Sequence, residues 1–357
     1  MEKVTLAGAI EGDYRWSEHN DVTDTTSDST SDLFIRTMEL GAEADFTAWI
    51  KGSLVLLAED LGTDDETDVS VDEAVMTIQS EGFPVYLILG KRVQPFGFFE
   101  NHLVSDPMTQ DAYETNRAGV TVGLTGPRAL DFSATLYKGE EMMNHFFESG
   151  LFNTDTAAGG ISREGEGSDD VGSYIVSLSL SPMEDHITLF GAYISETGNR
   201  ERNVTVNAGF SFIPPGLKNI RIDAEYMKAL SREKYDGAGR EYKEGMFSIA
   251  VAYEVVLRKK QITGDVLLAE SRGREMSGPL EFAVRYEHFD DDGMAEGAGT
   301  WTVDNRYSAG TGYSFYYDEE SGLTAYIAAE FRLTKYREIT DSIDKNNEFL
   351  ARLGLSF

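Results

Sequence analysis

Apolar and polar residues alternate over long stretches of this chain. Between residues 4 and 16, one face carries Val4, Leu6, Ile10, Tyr14 and Trp16, and the positions between them are mainly small or polar. The same period of two recurs at 203–212, 219–227, 323–336 and 347–357. Because successive side chains of a strand point to opposite faces, this pattern predicts strands that are apolar on one face only.

Strand length and loop length together indicate the class of sheet. The alternating segments run for about 10 to 14 residues, longer than the ~5 or 6 of ordinary strands and suited to a tilted membrane strand. Short turns such as SEGFPV and TGPRAL alternate with longer polar loops such as SEHNDVTDTTSDSTSD. This asymmetry is typical of outer-membrane barrels. The chain end, RLGLSF, resembles the strand by which such barrels are recognised for assembly.

The sequence predicts an all-β fold, a transmembrane antiparallel β-barrel of about 16 strands formed by one domain, residues 1–357. The strands are expected to begin near residues 3, 33, 49, 70, 85, 116, 130, 171, 186, 203, 219, 245, 278, 302, 323 and 346. Residues 255–278 are assigned as a long periplasmic connection, although ITGDVLLAE within them could be a strand, so 14 or 18 strands stay open. A barrel of this size is expected to hold water, because side chains cannot fill it.

Charge and composition narrow the partners. The chain has 62 Asp and Glu against 31 Lys and Arg, a formal net charge of -31, which would repel nucleic acid. It has no cysteine, so disulfides, thiolate zinc sites and cysteine nucleophiles are excluded. Strand pattern follows Met1 almost at once, so we expect a signal peptide to have been removed. The expected location is the bacterial outer membrane, in contact with lipid and lipopolysaccharide.

The stretch GKRVQPFGFFENHLVSDP, residues 90–107, breaks the alternation. Its prolines and glycine are incompatible with a regular strand, and its phenylalanines suit a loop pinned against an inner wall. We predict that residues 90–117 are the third extracellular loop region, folded inward as a pore constriction, with its acids projecting into the channel. The predicted constriction residues are Pro95, Phe96, Gly97, Phe98, Phe99, Glu100, Asp106, Asp111 and Glu114.

Basic residues on the strands are candidates for the facing pore wall. They are Arg15, Lys91, Arg117, Arg221, Arg285, Arg306, Arg332 and Arg352. Acid on the loop and arginine on the wall would set a transverse field that orients dipolar solutes. The alternative is that these arginines pair with inward Glu and Asp neighbours on adjacent strands and stiffen the sheet.

The stretch from residue 90 to 123 resembles a motif of the LbtU-type siderophore porins of Gram-negative bacteria. The matching positions are Gly90, Lys91, Pro95, Phe96, Gly97, Phe99, Glu100, Asp106, Pro107, Thr109, Glu114 and Thr115. The opening VTLAGAIEGDY and the block TMELGAEADFTAWIKGSLVLLAED are similar to that family as well, whereas the remainder agrees only in pattern. The resemblance implies passage of a ferric chelate or a similar small solute through a barrel without a plug domain.

Other chemistry has weaker signals. The five histidines lack metal-ligand spacing, and His288 beside Asp290, Asp291 and Asp292 is the nearest candidate for a hydrolase site at the rim. Acidic stretches at 59–73, 162–170 and 289–297 are expected to be solvated loops. The alternative is that they bind Ca²⁺ or Mg²⁺ that bridges lipopolysaccharide, with Asp290, Asp291 and Asp292 as candidate ligands.

The pattern as a whole favours a passive, substrate-biased channel rather than an enzyme. The acidic mouth predicts a preference for cations. A closed barrel that binds an extracellular partner through its acidic loops is the alternative function. A homotrimer stays open, because an apolar wall that packs against a second copy has the same sequence pattern as one that faces lipid.

Overall fold

The computed structural model describes residues 3–19, 27–63, 66–139, 151–153, 171–183, 186–197, 201–232, 241, 243–255, 278–293, 301–318, 322–337 and 344–357. Its strands are β1 Lys3–Ser17, β2 Thr30–Thr47, β3 Ile50–Leu61, β4 Ser70–Gln79, β5 Val85–Val93, β6 Asn116–Gly126, β7 Leu130–Lys138, β8 Phe152–Asn153, β9 Val171–Met183, β10 Ile187–Thr197, β11 Arg202–Phe212, β12 Ile220–Ser231, β13 Gly245–Val255, β14 Leu280–Asp290, β15 Trp301–Asp318, β16 Leu323–Arg337 and β17 Lys345–Ser356. One short helix, α1 Met108–Tyr113, precedes β6.

The long strands form one closed antiparallel barrel. Each pairs with its neighbours along the chain, and β1 pairs with both β2 and β17, so the sheet has no free edge. Without the two-residue β8, the barrel has 16 strands, as the alternation predicts, and each begins within about three residues of its expected start. Closure satisfies the backbone donors and acceptors that a lipid environment cannot.

The short strand β8 was not predicted from the sequence. It lies in the connection between β7 and β9 and pairs with the first residues of β15, while Leu151 beside it is fully buried. The predicted connection at 255–278 falls mostly outside the described residues: β13 ends at Val255 and β14 begins at Leu280. No helix among the described residues is long and apolar enough to cross a membrane.

The outer face of the barrel is apolar and solvent-exposed. Leu6, Leu136, Val284, Ile327 and Leu353 each expose more than half of their surface, although they lie in the middle of a closed sheet. The residues between them point inward and are mostly polar or charged. A soluble protein rarely exposes an apolar surface of this extent, so this face is suited to hydrocarbon.

The interior is filled unevenly, which corrects the expectation of a lumen that side chains cannot fill. Inward side chains of β9–β15, among them Ile175, Ile194, Met227 and Met246, are buried with residues of the loop that follows β5. We call this inner wall, formed by β7 and β9–β15, the packed side. On β1–β4, by contrast, the inward side chains of Arg15, Glu43 and Lys51 remain half-exposed. We call the inner wall of β1–β4 the open side.

Candidate pore constriction

The loop between β5 and β6, residues 94–115, folds into the barrel as predicted. Its two ends meet where the amide of Gln94 donates to the carbonyl of Thr115 at 2.7 Å and its side chain donates to the carbonyl of Arg117 at 2.5 Å. From this neck the chain crosses to the packed side and returns through α1. No residue from 94 to 115 is fully exposed, so the loop is packed along its whole length.

Aromatic contacts hold the first part of the loop. Phe96 is buried edge-on against Tyr113 of α1, with ring centroids 6.0 Å apart, and Phe98 packs on Phe190 of β10 at 6.2 Å. Gly97 has φ +103°, a left-handed conformation that other residues rarely adopt, and the Phe99 ring fills the space where a side chain would stand. The turn therefore requires glycine at this position, and it presents two adjacent phenylalanines to the wall.

Wall carboxylates receive the backbone of the loop, a feature that sequence reasoning missed. Glu225 of β12 accepts from the amide of Phe98 at 2.5 Å and from the Thr109 hydroxyl at 2.8 Å. Glu330 of β16 accepts from both the amide and the hydroxyl of Ser105 at 2.8 Å. The alternation of the strands predicts that these acids point into the barrel. It does not show which of the inward acids form hydrogen bonds with the loop.

Three of the predicted wall arginines also contact the loop. Arg221 pairs with Glu100 at 2.7 Å and Arg306 pairs with Asp111 at 3.1 Å. Arg285 donates to the carbonyls of Ser105 and Asp106, each at 2.9 Å. These charges are compensated by direct contact. They therefore do not face each other across water, which corrects the expected transverse field at these positions.

The remaining predicted arginines lie on the lumen face of their strands. Arg15 and Arg332 share Glu348, at 2.6 and 2.8 Å, whereas Arg352 pairs with acids of β1. This agrees with the alternative of pairing between adjacent strands. Arg117 lies opposite Arg92 on the inner face, near the neck of the loop.

Lys91 differs from the sequence prediction. Its register position, opposite Ala74 and Ala118, alternates with that of the inward Gly90 and belongs to the outward set with Leu89 and Val93. Its ammonium donates to the carbonyl of Val71 at the start of β4. Lys91 is therefore outside the pore wall.

The loop acids face two environments. Asp106 lies close enough to Arg36 and Glu59 of the open side for their charges to interact, although its loop is docked on the packed side. Burial raises the pKa of Asp111 to about 6, against the opposing effect of Arg306. Glu114, the residue that follows α1, accepts a hydrogen bond from the side chain of Gln110. Of these acids, Asp106 is the one whose charge acts on Arg36 and Glu59 of the open side.

His102 fastens the loop tip to the wall. Its Nε2 lies 2.6 Å from Asp223 of β12 and its Nδ1 lies 3.3 Å from Glu281 of β14. Burial disfavours the charged form of this imidazole, but the two carboxylates outweigh burial and raise the pKa of His102 to about 9. Among the described residues, Glu100, His102 and Asp223 form the one group of three His, Asp or Glu side chains whose ligand atoms, all within 4.8 Å, could hold one metal ion.

The other predicted chemistry has ordinary partners. Asp291 is buried beside Arg337 at 2.5 Å, Asp290 lies 3.5 Å from Lys228, and Asp292 accepts from the amide of Lys243. His288 Nδ1 contacts the carbonyl of Asp304 at 3.0 Å and the side-chain oxygen of Asn305 at 3.2 Å. Among the described residues, these contacts form a structured rim in which each of the four predicted side chains or its backbone has a polar partner.

Comparison with known proteins places the fold. No family model and no curated protein matches the chain. Among solved structures, an anion-selective porin from Comamonas acidovorans superposes with a TM-score of 0.61 at 10% identity over 99% of both chains. OmpF of Salmonella typhi in complex with daunomycin gives 0.63 at 13%, over 99% of this chain and 97% of that one. The trimer form of OmpT from Vibrio cholerae gives 0.58 at 9%, over 99% of both.

These likenesses define a porin-type β-barrel. At such low identity they establish the fold alone. The sequence resemblance to LbtU-type siderophore porins is not tested by them and stays a prediction.

Proposed function

We propose that this chain is a passive, water-filled outer-membrane channel for small polar solutes, with a preference for cations. The observation that carries the proposal is the loop of residues 94–115, which docks on the packed side and on the adjoining β16, and leaves the charged side chains of the open side exposed to solvent. A solute would pass between this loop and β1–β4. On this proposal the loop narrows the path of the solute but leaves it open along β1–β4.

The outer surface supports the proposed location. Exposed aliphatic and aromatic side chains surround the barrel, and the structures it resembles include a protein named as a porin and one named as an outer membrane channel. Closed strands with this outer face are one of the two structures that can span a bilayer. Lipid and lipopolysaccharide would then be the immediate surroundings.

Charge supports the cation preference. The chain carries a net charge of -31, and acids outnumber bases twofold. At the proposed path, the charge of Asp106 adds to that of Glu59, while Arg36 is already paired with Asp60 at 2.6 Å. A passage lined by excess carboxylate lowers the energy of a cation relative to an anion.

A ferric chelate is the finer proposal for the solute, and it rests on the motif of residues 90–115. The structure gives most motif residues a role in shaping and docking the loop: Glu100 pairs with Arg221, Thr109 bonds Glu225 and Thr115 closes the neck. These roles explain the motif without a cargo. The siderophore therefore has less support than the channel.

A homotrimer is a further proposal, supported by the trimer form of one structural neighbour and by the apolar outer face. Mass measurement of the detergent-extracted protein tests it. A monomer at every detergent concentration would overturn it.

Planar-bilayer recordings and liposome swelling with graded sugars, amino acids and iron chelates test the channel. We expect discrete conductance steps, and larger steps with weaker size discrimination after deletion of residues 98–112. A matched control removes as many residues, 154–168, from the connection between β8 and β9, and is expected to keep the discrimination of the wild type. Unchanged conductance and discrimination after the 98–112 deletion would contradict the constriction.

The packed side also favours a second candidate, a closed barrel that serves as a scaffold. Buried side chains fill the inner wall of β9–β15, as they would in a barrel that conducts nothing. Absence of any conductance from protein that assembles normally would overturn the channel and support this candidate.

A further inference from the structure

The tip of the inward loop brings together side chains that metal ions favour. Glu100 and His102 of the loop meet Asp223 of β12, with one ligand atom from each lying within 4.8 Å of the others. The side chains of His102 and Asp223 are almost fully buried, while Glu100 is partly exposed to the lumen. Imidazole nitrogen with carboxylate oxygens suits Zn²⁺ and related divalent transition metals.

The geometry points to a divalent transition-metal site, which we propose is formed by Glu100, His102 and Asp223. An ion bound there would join the loop tip directly to the barrel wall. The site is independent of what the barrel transports, and its existence does not require that the barrel conduct.

Glu281 provides the supporting contact that metal-bound histidines usually have. Its carboxylate lies 3.3 Å from His102 Nδ1, so the Nδ1 proton can be held there while Nε2 is directed toward Asp223. A carboxylate on the far nitrogen fixes the ring and its tautomer, and loss of such a partner typically weakens metal binding 10- to 100-fold. The 2.6 Å separation of Nε2 and Asp223 is a hydrogen-bonded contact, and the bridging proton would leave when a metal enters.

Space and charge also favour an ion. A small cavity with room for about one water molecule lies beside the cluster, and three of its nine lining residues are the carboxylates Glu100, Asp223 and Glu225. The guanidinium of Arg221 contacts Glu100 at 2.7 Å and Asp223 at 3.2 Å. Once a metal has displaced the His102 proton, the carboxylates of Glu100, Asp223 and Glu281 exceed this single guanidinium by two negative charges, which the divalent ion itself would balance.

Arg221 is therefore a competitor for two of the ligands. Glu100 and Asp223 must release part of their contact with its guanidinium to bind an ion. Its removal should strengthen metal binding, an effect that a merely structural cluster would not produce.

Calorimetric titration with ZnCl₂ tests the site on the folded barrel, freed of metal by a chelator and held at one pH in detergent. We expect one tight site in the wild type, a loss of affinity of at least tenfold in His102→Gln and Asp223→Asn, and tighter binding in Arg221→Gln. His288→Gln is the matched control, because this histidine also lies beside an aspartate, 3.8 Å from Asp304, but outside the cluster. It should bind zinc as the wild type does.

Unchanged zinc affinity and stoichiometry in His102→Gln would overturn the proposal. If that variant fails to assemble, Co²⁺ added to the wild type gives an independent answer. Visible absorption typical of a nitrogen and oxygen ligand set is expected, and a spectrum equal to that of Co²⁺ in detergent buffer would also overturn it.

Discussion

The carboxylate of Glu225 on β12 accepts a hydrogen bond from the backbone amide of Phe98. The loop that carries Phe98 begins at the end of β5, so this contact joins it to a distant strand of the barrel. The same carboxylate also accepts hydrogen bonds from the Thr109 hydroxyl and from the side-chain amide of Asn207. One buried acid thus fixes the two arms of the loop to one point of the wall. Its removal would leave at least two loop donors without an acceptor inside the protein.

We expect Glu225→Ala to loosen the loop. A buried donor that loses its partner costs about 1–3 kcal/mol, so the docked loop should be destabilised by roughly that amount. Single-channel traces should show larger and noisier conductance than the wild type. Glu254→Ala removes an exposed acid near the end of the neighbouring strand β13; it is the matched control and should leave the traces unchanged.

Gly90 is expected to be essential for β5 to meet β4. It has φ +134°, and a Cβ atom here would lie 2.0 Å from the carbonyl oxygen of Ala74. Gly90→Ala should therefore cost more than the ~1–3 kcal/mol of the backbone conformation alone, because the strands must also separate. Urea unfolding in detergent measures the loss.

Gly62→Ala separates the two causes. Gly62 also has a positive φ, +96°, but nothing lies within 4 Å of a Cβ placed there. This variant should lose only the conformational part. Equal destabilisation of the two variants would contradict the steric explanation for Gly90.

The alternating sequence predicts the barrel well, because every strand must turn an apolar face to the outside and the side-chain period is two. Arg221, Arg285 and Arg306 were assigned to the inner wall for this reason, and the register places them there. The same alternation shows why the assignment of Lys91 to the pore wall was wrong. Lys91 follows the inward Gly90 and therefore occupies an outward position.

The partners of those residues could not be predicted. Contacts such as that of Arg306 with Asp111, or of Glu330 with Ser105, join positions about 200 residues apart, and they depend on the path of an irregular loop. Nothing in the sequence period describes that path. For the same reason the filling of the packed side was missed, since it takes place between loop residues and strands on the opposite wall.

Asp106 is expected to contribute to ion selectivity. Its charge acts across the lumen on Arg36 and Glu59, so Asp106→Asn should lower the preference for cations over anions. Reversal potentials in a KCl gradient measure this preference. Asp68→Asn makes the same charge change at an exposed position between β3 and β4, and an equal effect there would show that only net charge matters.

Asp111 is expected to add a pH dependence. Because burial raises its pKa to about 6, this side chain is charged above pH 6 and becomes neutral as the pH falls below it. The cation preference should therefore be higher above pH 6 and decrease through a step near that value. Comparison of reversal potentials of the wild type and Asp111→Asn between pH 5 and pH 7.5 isolates the step, which the variant should lack; a step of the same size in both would contradict the assignment.

If the outer surface faces lipid, the destabilisation caused by an outward-facing arginine should depend strongly on its depth in the membrane. Val284, in the middle of β14, and Leu217, in the turn before β12, are both more than half exposed, but only Val284 lies within the band of strands. Arginine at the midplane of a membrane barrel costs about 2–4 kcal/mol, against roughly 0–1 near the interface. Val284→Arg should therefore destabilise the barrel in lipid vesicles by several times more than Leu217→Arg, as measured by denaturant unfolding. Equal effects of the two substitutions would mean that water, rather than hydrocarbon, surrounds Val284.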